Sequence, residues 1–191
     1  MLQLNIFSEG EVFMRVVIAS DIHGSAYYAK KLKERFEAEK AGQLILLGDV
    51  YYHGPRNDLS YEYDPKEVCE ILNSIWDKIV CVRGNCDSEV DEMISRFSFI
   101  ENMELFVSGK RVYLAHGHKI NWDFPNYYGD MIIFGHLHTG FIKKENGVII
   151  ANTGSTSLPK NGTPNSYIVL TDDKIELKDI EGNLLESEAV C

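Results

Sequence analysis

Short, almost wholly apolar runs recur along this chain, and each ends abruptly in a polar tail. "RVVIAS" leads into "SDIHG", "QLILLGD" ends in "LGD", and "IVCVRGN" opens "RGNCD". Runs with so little polar alternation are buried on both faces, the pattern of parallel strands covered on each side. Between them lie amphipathic stretches. "SAYYAKKLKERFEAEKAG" reads as a helix with Ser25 near its cap and Gly42 at its end. "DPKEVCEILNSIWDK" has Asp64 at the N-cap, Pro65 at the first helical position, and Val68, Ile71, Leu72 and Ile75 at helical spacing. Strands alternating with helices predict a layered α/β domain.

From about residue 103 the pattern changes. "MELFVSGKRVYLAHG" reads as a hairpin turning at Ser108-Gly109-Lys110, and "MIIFGH", "GVIIANTG", "SYIVLTDD" and "KIELKDI" as further strands. A second sheet packed on the first is expected. With 191 residues and no linker or internal repeat, residues 14–191 read as a single domain. Residues 1–13, "MLQLNIFSEGEVF", show neither cap nor period and read as a leader or extension that the fold does not need.

The polar tails carry the chemistry. In open α/β sheets ligands bind at the carboxyl ends of strands, so "SDIHG", "LGD", "RGNCD", "AHGH" and "FGHLHTG" should converge on one site. Five of the six histidines lie in those tails. A single carboxylate there is commonly a helix cap, and a single histidine is commonly structural. The series Asp21, His23, Asp49, Asn85, His116, His136 and His138, each following an apolar strand, is much harder to explain as seven caps. Imidazole, carboxylate and amide oxygen together suit Mn, Fe, Zn, Co or Ni. Asp21 with His23, and His136 with His138, are spaced to face one side of an extended segment. The set exceeds one coordination shell and fits two ions sharing a carboxylate.

Other functions are disfavoured. A net charge of -10 without a block of Lys and Arg argues against duplex nucleic acid and against an anionic membrane surface. Cys69, Cys81, Cys86 and Cys191 are widely spread, and neither a signal peptide nor an apolar run of membrane-spanning length is present, so a reducing cytoplasm is expected. Cys81 and Cys86 lack the second close pair of a structural zinc site. "GHLHTG" has the glycine spacing of a nucleotide-binding P-loop, but Phe141 and Ile142 stand where Lys and Ser or Thr are required.

The series D-x-H, G-D, G-N, H-G and G-H-x-H resembles the calcineurin-like metallophosphoesterase superfamily. "LGDVYYHGPRND", "VRGNCDSEVDEM" and "NTGSTSLPKNG" narrow the resemblance to the bacterial YfcE-type phosphodiesterases. The resemblance implies a four-layer αββα sandwich, two packed mixed β-sheets flanked by helices, with a dinuclear centre at one edge. It places Asp21, His23 and His138 on one ion, Asn85, His116 and His136 on the other, and Asp49 between them. Two divalent ions are implied, Mn first among them. They would support water-mediated hydrolysis of a small or nucleotide-like phosphodiester to a phosphomonoester and an alcohol. A phosphomonoesterase and a metal-binding, non-catalytic interaction scaffold of the same fold are the alternatives. A homo-oligomer is compatible with the resemblance.

Asp49, Asn85 and Cys86 form the expected catalytic group. Many superfamily phosphatases resemble G-N-H at this turn, where the histidine contacts phosphate, whereas the YfcE-type proteins share the G-N-C found here. A cysteine phosphatase needs C-x5-R, and Glu92 occupies the arginine position. Cys86 is therefore read first as a substrate contact, then as filler, and last as a ligand. His53 and Arg56, in "HGPRN", are candidate substrate contacts, since Arg pairs bidentately with phosphate. His118 is expected just behind His116.

Overall fold

The computed structural model describes residues 14–123, 125 and 128–190. The expectation for residues 1–13 and the terminal Cys191 lie outside the described residues.

The first half of the chain builds three strands, β1 (Arg15–Ala19), β2 (Gln43–Leu46) and β3 (Ile79–Val82), joined through helices α1 (Ala26–Ala38) and α2 (Pro65–Asn73). In β1 the side chains alternate between two hydrophobic layers. Val17 and Ala19 pack with Leu32 and Phe36 of α1, whereas Val16 and Ile18 face the second sheet. The α1 N-terminus is capped as expected, with Ser25 Oγ accepting from the Tyr28 amide. Its C-terminus differs: the helix stops at Ala38, and Lys40 takes the left-handed conformation (φ 52°) expected near Gly42. The Gly42 amide instead donates to Arg15 O. Asp64 and Pro65 begin α2 as expected, and Val68 and Leu72 are its buried residues.

The remaining elements are α3 (Glu89–Ile94), β4 (Phe99–Ile100), β5 (Met103–Val107), β6 (Lys110–Ala115), β7 (Met131–Phe134), β8 (Gly140–Glu145), β9 (Val148–Thr153), β10 (Ser166–Thr171), β11 (Lys174–Asp179) and β12 (Leu184–Ala189). They complete two mixed sheets. One has seven strands in the order β12-β11-β10-β1-β2-β3-β4, the other five in the order β5-β6-β7-β9-β8. The β5–β6 hairpin turns on Ser108 (φ 48°) and Gly109 (φ 78°), two consecutive left-handed residues that match the twist of the strands.

The sheets pack face to face through Ile18, Ile45, Leu114, Ile133 and Ile168, all at most 1% exposed. Helices α1 and α2 cover the outer face of the large sheet. On the outer face of the small sheet, Ile132, Phe134, Val148 and Ile150 form a third cluster under Ile120, Tyr128 and Phe141. Strands β1 to β4 run parallel, as do β6, β7 and β9. Their carboxyl ends therefore open at shared edges of the two sheets, and the polar tails meet there.

Candidate metal centre

The tails are laced to one another by backbone hydrogen bonds. Asp21 N donates to Gly48 O and His23 N to Asp49 O, each at 3.0 Å, so the segments after β1 and β2 run side by side. Gly135 N donates to His116 O at 2.9 Å, joining the segments after β6 and β7. Two glycines permit the closest approach. A Cβ on Gly84 would lie 2.1 Å from Asp49 Oδ1, and one on Gly48 (φ 87°) would lie 2.3 Å from Gly84 N.

Asp21, His23, Asp49, His136 and His138 all have positive φ, between 46° and 66°. Bulky residues adopt that region rarely and at a cost of about 1–3 kcal/mol each. The expectation of extended i, i+2 pairs is corrected here. The side chains converge because the backbone curls after each strand, not because a pleat alternates. His136 and His138 accordingly face different neighbours. His136 Nδ1 lies 3.2 Å from His116 Nε2, whereas His138 Nε2 lies 3.2 Å from His23 Nε2.

Three histidines are held in one tautomer by backbone carbonyls, which can only accept. His23 Nδ1 donates to Tyr52 O (2.7 Å), His116 Nδ1 to Leu47 O (2.6 Å) and His138 Nδ1 to Leu158 O (2.6 Å). Each thereby turns Nε2 inward, as metal-ligating imidazoles are oriented. Around those nitrogens, Asp21 Oδ1 lies 3.5 Å from His23 Nε2 and 3.3 Å from His138 Nε2. Asp49 Oδ2 lies 3.7 Å from His23 Nε2 and 3.5 Å from His116 Nε2. Asn85 Oδ1 lies 3.0 Å from His116 Nε2. All seven residues expected from the sequence thus come together.

The donor set fits divalent cations. Asp21 Oδ1 is a fully buried carboxylate oxygen without a hydrogen-bond partner among the described residues, a costly arrangement unless a cation meets it. Burial acts to lower the proton affinity of His116, but the carboxylates of Asp49 and Asp21 outweigh it and push its pKa up to about 9. His23 moves upward for the same reason, against burial. Asp21 is held well below the usual carboxylate range by His138 and His23, again against burial. The cluster therefore attracts positive charge. Asp21, His23 and His138 form one group of candidate ligands, and Asp21, Asp49 and His116 another.

Supporting residues that the sequence reading did not single out hold this cluster. Asp87 is the largest omission, although it closes the "RGNCD" motif. Its Oδ2 accepts from Asp49 N (2.8 Å) and Gly84 N (2.7 Å), and its Oδ1 from Val50 N (2.8 Å). One carboxylate thus clamps the segment that presents Asp49 to the segment that presents Asn85. Ser20 Oγ donates to Asp21 Oδ2 at 2.5 Å, and His136 N donates to the same oxygen at 2.9 Å. Ser155 Oγ, from the "NTGST" tail after β9, donates to Asp21 O at 2.7 Å.

The centre opens into a cleft of about 340 Å³ lined by Asp49, Tyr52, Gly54, Pro55, Arg56, Asn57, Asn85, Cys86, His136, His138 and Lys160. Arg56, a candidate substrate contact, is among these lining residues. His53 does not: its ring packs edge-on against Tyr52 and Tyr63, so it supports the wall instead of facing the cleft. His118 is exposed beside the His116 ring, 5.3 Å between centroids, and lines a separate hollow with Glu101 and Lys119.

Cys86 is half-buried on the cleft wall. Its amide donates to Asp49 Oδ1 at 2.8 Å, and its sulfur accepts from Asn85 Nδ2 at 3.2 Å. Its Sγ lies within 4.8 Å of ligand atoms of His23 and Asp49. Burial and the carboxylates of Asp49, Asp87 and Asp21 push its thiol up to about 12. A thiol so held is a poor nucleophile.

Comparisons with known proteins agree with this geometry. Residues 14–174 match the profile of the calcineurin-like phosphoesterase superfamily domain. The chain is 38% identical over 168 residues to phosphodiesterase YfcE of Escherichia coli strain K12, covering 86% of this chain and 91% of that protein. It is 26% identical over 186 residues to the probable metallophosphoesterase YsnB of Bacillus subtilis strain 168, covering 91% and 95%. The solved structure of YfcE, a phosphoesterase from E. coli, superposes with a TM-score of 0.88 at 34% identity, covering 93% of this chain and all of that one. The seven-stranded and five-stranded sheets and the metal-seeking cluster at their edge are therefore those of a member of the calcineurin-like phosphoesterase superfamily, to which this chain belongs.

Proposed function

We propose that this protein is a dinuclear, metal-dependent phosphodiesterase that hydrolyses a small or nucleotide-like phosphodiester to a phosphomonoester and an alcohol. The observation that carries the reading is the partnerless Oδ1 of fully buried Asp21, facing Nε2 atoms whose tautomers are already set for ligation. Similarity to phosphodiesterase YfcE supports a diester as the substrate.

Asp21, His23 and His138 would hold one ion, Asn85, His116 and His136 the second, and Asp49 would bridge them. The oxygen and imidazole donors suit Mn, with Zn, Fe, Co and Ni as competitors. When bound, such ions supply Lewis acidity, activating water and neutralising phosphate oxygens. The chain's own residues do the rest. Leu47, Tyr52 and Leu158 carbonyls hold the imidazoles in one tautomer, so no reorientation is needed on binding. Asp87 fixes the distance between the Asp49 and Asn85 segments. The Cys86 thiol, a weak donor, contacts the substrate without protonating a poor leaving group. This favours diesters whose alcohol departs readily. Cys69, Cys81 and Cys86 are unpaired, in keeping with a reducing cytoplasm. Among the described residues no helix is long and apolar enough to cross a membrane.

The test is hydrolysis of bis(p-nitrophenyl) phosphate and p-nitrophenyl phosphate by metal-stripped protein, with and without Mn. Mn-dependent cleavage of the diester with little of the monoester is expected. Preferential monoester cleavage would make the protein a phosphomonoesterase, and metal uptake without turnover would favour a binding scaffold.

A further inference from the structure

The walls of the cleft differ from the rest of the surface in charge. The chain carries a net charge of -10, and many of its cations are paired with carboxylates, as in Lys30–Glu67, Arg83–Glu92 and Lys178–Glu39. Arg56 and Lys160 line the cleft and have no ion-pair partner among the described residues. Asp49, at the candidate metal centre, is the one carboxylate among the cleft's lining residues. Two cations without carboxylate partners among the described residues, on the wall of such a cleft in an acidic protein, are available to pair with an anion that enters it.

Both cations sit on segments tied to the same half of the centre. Lys160 N donates to His138 O at 2.8 Å, and the segment bearing Arg56 leaves from Tyr52, whose carbonyl accepts from His23 Nδ1. At the turn of that segment Asn57 Nδ2 donates to His53 O at 2.8 Å. Bound ions would take oxygens of the scissile phosphate, which leaves these two side chains available to a second anion in the same cleft.

We infer that Arg56 and Lys160 form a second anion subsite, and that the substrate is a phosphodiester carrying an additional phosphate group beyond the scissile one. The inference rests on the phosphodiesterase reading for the identity of the reaction, but the subsite can be tested by binding alone. Arg presents a planar fork to phosphate oxygens and Lys a mobile point charge, a combination suited to a terminal phosphate dianion.

The experiment is calorimetric titration of Mn-loaded protein with adenosine 3′,5′-bisphosphate and with adenosine 5′-monophosphate. The wild type should bind the bisphosphate about tenfold more tightly. In the Arg56→Ala/Lys160→Ala double variant, the bisphosphate affinity should fall far more than the monophosphate affinity, so that the preference closes to about one. Both side chains are exposed, and a circular dichroism spectrum checks that the variant is folded. A wild type without the preference, one that binds neither nucleotide, or a double variant that keeps the preference would each overturn the subsite. Failure to hydrolyse bis(p-nitrophenyl) phosphate would instead count against the phosphodiesterase reading, which separates the two.

Discussion

The two halves of the metal centre are built differently. Asp21, His23 and His138 are at most 3% exposed, and Asp21 is gripped by Ser20, Ser155 and the His136 amide. In the other half, His116 is buried, but Asn85 is exposed and His136 half-buried, both on the wall of the cleft. A ligand set that is buried and hydrogen-bonded in advance loses little freedom on capturing an ion, whereas an exposed one must be ordered first. On the proposed dinuclear reading, the difference would make the Asp21 half the tighter site and the Asn85 half the one that exchanges ions and admits substrate.

Asp49 Oδ2 lies between His23 Nε2 and His116 Nε2, the position proposed for the bridging ligand, so its removal should have the largest effect. Asp49→Ala is expected to lower turnover by about 10³-fold or more and to reduce bound metal, measured by elemental mass spectrometry and steady-state kinetics. Retained turnover would mean that the halves act independently. Asn85→Ala should sharpen the contrast: about one ion per chain remains, and turnover falls on the order of 10²-fold. Loss of both ions from that variant would reverse the order of affinities proposed here.

Asp87 tests whether the halves are held at a fixed separation. Asp87→Ala strands three backbone N–H groups, of Asp49, Val50 and Gly84. At about 1–3 kcal/mol for each buried unsatisfied donor, urea denaturation should show a loss of roughly 3 kcal/mol or more. Metal affinity should weaken by about 10- to 100-fold. A stable variant with normal metal affinity would show that water replaces the carboxylate.

The smallest expected effect lies away from the centre and serves as the control. Burial would raise the pKa of Glu39, but Lys178, Tyr167 and Arg15 outweigh it and lower the value below the ordinary Glu range. A depressed folded-state pKa stabilises above the unfolded-state pKa, and that stability disappears as pH falls through the folded-state value. The stability difference between wild type and Glu39→Gln should therefore be present at neutral pH and fade in acid, with metal content unchanged. A pH-independent difference would assign the effect to packing.

The same contrast marks what the amino-acid order reveals. The convergence of the seven candidate positions is legible because each follows an apolar strand and each residue type is a known donor, so periodicity and chemistry point the same way. Asp87 and Ser20 are not legible. Their partners are chosen by how closely two segments approach, and an Asp after a turn looks the same whether it caps a helix or clamps three amides. The left-handed backbone at Asp21, His23, His136 and His138 is hidden for a similar reason: no glycine marks those positions, and tertiary contacts impose the curl. His53 shows the converse, a chemically attractive residue whose ring packs against Tyr52 and Tyr63. Strand β12 is not legible either, because an edge strand reading "LLESEA" and largely exposed carries little hydrophobic alternation.

The most direct test of the shared centre is an anomalous difference map from crystals grown with Mn. Two peaks are expected, one among Asp21, His23 and His138 and one among Asn85, His116 and His136, with the Asp49 carboxylate between them. A single peak, or a peak held by the sulfur of Cys86, would contradict the account.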